Sequence, residues 1–212
     1  MREFTMAQIE TEGVIQFAYT LQPPAPDDAP APAEGLEALA QPFRHAGFLG
    51  RNPLRYGGLA FGNVSRREGA GYWITASQRM DQCPLAQEDL CFVAEVACDG
   101  TLRARGTRPP SSESLVHSAV YGSAREARVV VHGHHAGLWN AHAALGLAAT
   151  PEEARNGTQA LAEAVRAACA GQPSGCLAMA GHEDGMLFWA PDAAALHQLL
   201  GHTLARLSDL AL

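Results

Sequence analysis

Between positions 110 and 135 the chain carries Pro110-Ser111-Ser112-Glu113, a Val-Val-Val run, and then His132-Gly133-His134-His135. A run of β-branched residues reads as a strand, and side chains two apart on a strand project from the same face. His132 and His134 therefore share a face, where two imidazoles suit one divalent ion. His135 falls on the opposite face, which suits a pocket or supporting role. Upstream, Leu115/Ala119 and Val116/Val120 pair at i,i+4 spacing, and Ser112 reads as the N-cap of that helix. Glu113 is then a carboxylate in a first helical turn. Two serines beside the open amides of such a turn also make a ready anion site.

Four motifs in order carry a resemblance: Gly62-Asn63-Val64-Ser65-Arg66, Trp73-Ile74-Thr75-Ala76-Ser77, Pro110 to Glu113 with His117 four residues on, and Val131-His132-Gly133-His134. Together they make the chain similar to the class II aldolase/adducin family over roughly residues 35 to 210. The resemblance implies that His132 and His134 are metal ligands and that Glu113 is a ligand of the resting site or the proton-transfer group. It also implies a third ligand shortly before a Gly and an apolar strand. The chain departs from the family's His-Gly step there, with His182-Glu183-Asp184-Gly185. Alignment on Gly185 selects Asp184, and alignment on Leu177-Ala178-Met179-Ala180 selects His182. Imidazole suits zinc and neighbouring ions, so His182 is preferred, with the two extra residues as a bulge at the strand start. Asp184 stays open as the alternative.

For substrate binding the resemblance points to Asn63, Ser77, Ser111 and Ser112. Gln78 stands where the family has a glycine that lets backbone approach a phosphate, so the substrate is expected to be a carboxylate or a more loosely held phosphate. The implied activity is that of a lyase that cleaves or forms a carbon-carbon bond beside a carbonyl through an enediolate. The cofactor is a divalent ion, zinc first, with manganese, iron, cobalt or nickel as alternatives. All 15 basic residues are arginine, so a lysine Schiff-base aldolase is excluded. An epimerase or decarboxylase on the same residues, or an adducin-like binding module, is the alternative. The resemblance further implies a homotetramer with active sites at subunit interfaces.

The elements that must position these residues are legible from periodicity and breakers. Helices are expected at 34–46, 136–145 and 158–170, with a last one capped by Asp192 and carrying Leu196, Leu199, Leu200, Leu204 and Leu207. Strands are expected at 59–64, 72–75, 91–97 and 102–106, the last two closed into a hairpin by Gly100. The expected fold is a three-layer α/β/α domain with a mixed, largely antiparallel central sheet. Residues 1–34 read as a strand, Gly13 to Leu21, and a Pro/Ala-rich linker, with the strand adding to a sheet edge or to a partner subunit; residues 35–212 form the domain.

With 22 acidic against 15 basic residues, a nucleic-acid surface is not expected. No apolar run reaches the ~18 residues of a membrane span, and no secretory signal is evident, so a cytoplasmic location is expected. The five cysteines lack CxxC spacing and read as small apolar residues.

Overall fold

The computed structural model describes residues 13–24 and 31–210. In chain order the elements are β1 (Tyr19–Gln22), α1 (Ala33–His45), β2 (Gly50–Arg51), β3 (Ala60–Phe61), β4 (Asn63–Glu68), β5 (Gly71–Thr75), β6 (Leu90–Val96) and β7 (Leu102–Gly106). They continue with α2 (Ser114–Ser123), β8 (Val129–His134), α3 (Ala136–Ala141), β9 (Ala148–Ala149), α4 (Gln159–Ala168), β10 (Gly175–Ala178), β11 (Gly185–Ala190) and α5 (Ala193–Leu210). Nine strands form one sheet in the order β1-β7-β6-β5-β4-β8-β11-β10-β9, and β2 pairs with β3 beside it. Only the outermost pairs, β1 with β7 and β10 with β9, are parallel. The mixed, largely antiparallel sheet between helices is the expected fold.

Alternation along the central strands sorts side chains into two cores. Val130, Leu187, Trp189 and Ile74 join Leu115, Val116, Ala119 and Val120 of α2 and Leu161 and Val165 of α4. Val64, Val131, Met186 and Phe188 point the other way and join Leu36, Leu39 and Phe43 of α1, Leu138 of α3, and Leu196 and Leu200 of α5. Phe43, Phe48 and Phe188 meet edge to face at centroid distances of 5.2 to 5.8 Å. Truncating a buried ring such as Phe188 is expected to cost about 3–5 kcal/mol.

Several boundaries differ from expectation for identifiable reasons. The N-terminal strand forms only at Tyr19–Gln22, where it pairs with β7 at the sheet edge. The expected linker falls largely on residues 25–30, which lie outside the described residues. The helix expected to reach Leu145 gives way to turns after Ala141, with Leu145 N–H still donating to Ala141 O at 3.0 Å. The helix after Ser112 begins one residue later than predicted: Glu113, not Ser112, is in the cap position, and no side chain caps it. Instead Ser114 donates through both its amide (3.1 Å) and its hydroxyl (2.7 Å) to the Ser111 carbonyl, closing a turn ahead of the helix. The cap at Asp192 (to Ala195 N, 2.8 Å) forms where the sequence placed it, and Thr158, expected as the first residue of its helix, instead caps it by accepting from Leu161 N–H at 3.2 Å.

Beneath the sheet, His117 of α2 is fully buried, with Nδ1 2.6 Å from Ser65 Oγ, which in turn lies 2.8 Å from Tyr121 Oη. Burial lowers the His117 pKa to about 3. Its folded value is below the unfolded one, so the unfolded chain binds the extra proton and the contribution to stability is complete above about pH 6.5. It is lost as pH falls towards 3, at about 1.4 kcal/mol per pH unit for one proton. Urea unfolding of metal-free protein between pH 7 and 4 is expected to show this decline, and H117N is expected to show a slope shallower by up to one proton.

Candidate metal centre

β8 lies in the middle of the sheet, hydrogen-bonded to β4 on one side and β11 on the other, with Asn63 opposite His132 and Gly185 opposite His134. His132 and His134 follow Val130 onto the face covered by α2 and α4. The intervening Gly133 faces Phe48, whose Cβ and carbonyl oxygen would both lie 2.8 Å from an added Cβ. Only glycine fits between the two histidines. His134 N–H also donates to Phe48 O at 2.9 Å, which fixes the end of the strand against the loop after α1.

The third imidazole comes from the turn between β10 and β11. Met179 N–H donates to Gly185 O at 2.8 Å, Gly185 N–H to His182 O at 2.9 Å, and His182 N–H to Met179 O at 2.9 Å. The residues beyond the family's shorter step are thus taken up in a tight turn rather than a strand bulge. Asp184 occupies it with a φ of 61°. Gly185 packs directly on His182, leaving 3.1 Å between an added Cβ and the imidazole Cγ. The ring centroids of His132, His134 and His182 are 4.7 to 5.0 Å apart, and one nitrogen of each lies within 4.8 Å of the others.

The three histidines are buried, and Glu113 is buried beside them with Oε1 3.9 Å from His182 Nδ1. Burial first, and the neighbouring His182 second, hold the pKa values of His132 and His134 well below the ordinary histidine range. They are therefore neutral, the state that offers a lone pair. His132 Nδ1 faces the Met186 carbonyl at 3.2 Å and must carry the proton, which leaves Nε2 as the lone-pair nitrogen. That Nε2 is buried and makes no hydrogen bond among the described residues. A buried acceptor without a donor is costly, and a cation shared with the other two imidazoles would satisfy it. The donor set thus fits a divalent ion.

Of the other predicted residues, Asn63 is tied to this cluster by the sheet register, and Ser111 and Ser112 directly precede Glu113. Asn63, across from His132, is buried, and its Oδ1 has no hydrogen-bond partner among the described residues. Ser111 and Ser112 are buried just before α2, with Ser111 Oγ accepting from Glu113 N–H at 3.4 Å. Ser77 lies at the end of β5, its amide donating to Pro109 O at 3.0 Å. His135 turns to the opposite face, stacks on Phe48 at 4.6 Å and caps α3 by accepting from Leu138 N–H at 3.0 Å.

Asp184 does not share the histidine cluster. Its carboxylate is buried, accepting from Tyr56 Oη–H at 2.7 Å and from the Arg55 guanidinium, while the Tyr56 ring stands edge-on to His134 at 4.5 Å. Burial and the bond to Asp184 raise the Tyr56 pKa above its ordinary value. Sequence reasoning missed Arg55 and Tyr56. The available signal was Arg55-Tyr56-Gly57-Gly58 just ahead of the Asn63 motif, and Tyr56 does take a left-handed φ of 52°.

Fold and cluster together define a class: a layered α/β domain with a buried imidazole trio, able to hold a metal ion, at the centre of its sheet. Residues 54–203 match the Class II Aldolase and Adducin N-terminal domain, and the chain belongs to that family. It is structurally similar to L-fuculose-1-phosphate aldolase from Thermus thermophilus, with a TM-score of 0.61 and 18% identity over 84% of this chain and 92% of that one. It is also similar to a sugar-phosphate aldolase from Thermotoga maritima (TM-score 0.64, 14% identity, 84% of this chain and 92% of that one). A third is an aldolase II superfamily protein from Pseudomonas syringae (TM-score 0.58, 15% identity, 87% of this chain and 77% of that one). At these identities the likeness carries the fold. No curated protein matches by sequence.

The Asp184 contacts make a graded prediction. Tyr56→Phe removes one hydrogen bond to a carboxylate that keeps Arg55, and is expected to cost about 1.5–3 kcal/mol in urea unfolding. Asp184→Ala strands both partners and is expected to cost more than Tyr56→Phe in the same measurement.

Proposed function

We propose that the protein is a divalent-metal-dependent lyase of the class II aldolase type, acting on a small sugar-like substrate that carries a phosphate or a carboxylate. The observation that carries this reading is the buried trio of imidazoles, His132, His134 and His182, with the Glu113 carboxylate beside it. In this reading the three histidines hold the ion, and Asp184 serves the wall of the site. Zinc is the first candidate, with manganese, iron, cobalt and nickel behind it. When bound, the ion would polarise the substrate carbonyl and stabilise the negative charge of an enediolate.

The chain's own residues supply the rest. Glu113 takes the proton from the hydroxyl of the departing aldehyde as the carbon-carbon pair moves toward the carbonyl, then returns a proton to carbon. Its carboxylate belongs to the start of α2, so helix packing against the sheet fixes its distance from His182. Asn63, Ser77, Ser111 and Ser112 orient the substrate's polar groups. The α2/α4 face excludes water from the reacting atoms. An epimerase or decarboxylase would use the same residues and is separated by product analysis.

The reading extends to a cytoplasmic homotetramer with sites at subunit interfaces, and to residues 1–34 as an addition to a domain spanning 35–212. Among the described residues no helix is long and apolar enough to cross a membrane. Light scattering on the purified protein tests the assembly.

Two measurements test the site. Elemental analysis of untagged protein is expected to give near-stoichiometric metal in wild type and Asp184→Ala and less than a tenth of that in His182→Ala; the reverse pattern would make Asp184 the ligand. Glu113→Gln is expected to keep its metal and lose about 100-fold or more in turnover, measured as aldehyde release. Wild-type turnover in that variant would sink the assignment, and absence of metal after reconstitution would leave a binding module.

A further inference from the structure

The end of the site formed by Ser77 and the turn before α2 is already closed by the chain itself. Gln78 takes the place of the family's glycine and keeps a glycine-like φ of 59°. That conformation costs an ordinary residue roughly 1–2 kcal/mol. Its side chain offsets the cost by gripping the main chain of Ala60 at both ends, Oε1 accepting from the amide at 2.9 Å and Nε2 donating to the carbonyl at 3.1 Å. Gly13 packs against that same amide so tightly that an added Cβ would lie 1.9 Å from Gln78 Nε2. Ser77 Oγ–H donates to Gly13 O at 3.4 Å.

Several of the donors at this end are already committed. Ser77 gives its hydroxyl to Gly13 and its amide to Pro109, Glu113 N–H goes to Ser111 Oγ, and Ser114 N–H goes to Ser111 O. A phosphate has three terminal oxygens to satisfy and would have to break several of these bonds.

Near His134 stands a cation that has no counterpart in the sequence reading. The Arg55 guanidinium lies 5.0 Å from the Tyr56 ring, which is itself 4.5 Å from His134. One of its nitrogens, Nη2, is held by the buried Asp184 carboxylate, and Tyr56 Oη–H donates to the same oxygen. Its other two nitrogens make no protein hydrogen bond among the described residues, and the side chain is 42% exposed. The ion pair holds the guanidinium in place without exhausting its donors. The donors that remain can receive the oxygens of an anion, and a carboxylate is one such acceptor.

We propose that Arg55, positioned by Asp184 and Tyr56, binds a carboxylate on the substrate, and that Gln78 and the N-terminal segment at Gly13 exclude a phosphate from the Ser77 end. The substrate class is then a hydroxy or keto acid of the sugar-acid type rather than a sugar phosphate. This inference rests on the metal-site reading above and narrows it. It assigns Arg55 and Gln78 to specificity, apart from the proton transfer at Glu113.

The test is binding, not turnover. Glycerate and glycerol 3-phosphate, which share a vicinal diol and differ in the anion, are titrated calorimetrically into metal-loaded wild type, R55A, R55K and Q78G. Metal content and circular dichroism are recorded for each protein. Wild type is expected to bind glycerate at least about 10-fold more tightly than glycerol 3-phosphate, in line with one or more charged hydrogen bonds. R55A is expected to lose that preference without losing metal, R55K to recover part of it, and Q78G to gain affinity for glycerol 3-phosphate. Metal-loaded, folded R55A that binds glycerate like wild type overturns the inference and leaves the metal reading standing, as does a wild-type preference for the phosphate ester. Wild type that takes up no metal overturns both.

Discussion

The period-2 alternation of β8, held in register by neighbours on both sides, is the constraint on which the rest of the site depends. Val130, His132 and His134 project to one face, and Val129, Val131 and Gly133 are committed to the other. A slip of one residue would place two imidazoles among the phenylalanines and a valine at the site. Hydrophobic burial of the valines on their proper faces therefore fixes the histidines as well. The central position of the strand satisfies its backbone, so the buried polar side chains are not competing with unpaired amides.

That position also sets the electrostatics. His132 and His134 are held neutral, because burial penalises their charged forms and His182 stands beside both. A buried cluster of imidazoles with a carboxylate at its rim is a suitable arrangement for a divalent cation. The polar chain from His117 through Ser65 to Tyr121 continues beneath this layer, so α2 is attached to the sheet by hydrogen bonds as well as by its apolar face.

Backbone strain is concentrated nearby. Among the described residues, the non-glycine positions with positive φ are Tyr56, Gln78 and Asp184. Each has a side-chain bond that compensates: Tyr56 and Asp184 bond to each other, and Gln78 to Ala60. All three lie where the chain departs from its family's pattern or precedes its first motif. Local strain held by tertiary contacts is characteristic of functional sites, and here it shapes the walls around the histidines.

What the sequence by itself determined follows from local periodicity. Alternation made β8 a strand with His132 and His134 on one face, i,i+4 pairs made α2 a helix, and Asp192 and Thr158 marked helix starts, because these signals depend on neighbours within a turn or a strand. The α/β/α layering followed from the succession of such elements. The places of His182 and Asp184 were not local: both sit a few residues from Gly185, and only the closure of the β10–β11 turn sent one toward His132 and the other toward Arg55. The cap at Glu113 shifted by one residue for a similar reason, since the Ser111 carbonyl competed for the first donors of α2. Arg55, Tyr56 and Gly13 are distant in sequence from the groups they meet, so no spacing rule could join them to the site. Tertiary packing decides such contacts because the free energy that holds a side chain in a strained or buried position comes from partners that only the folded chain brings near.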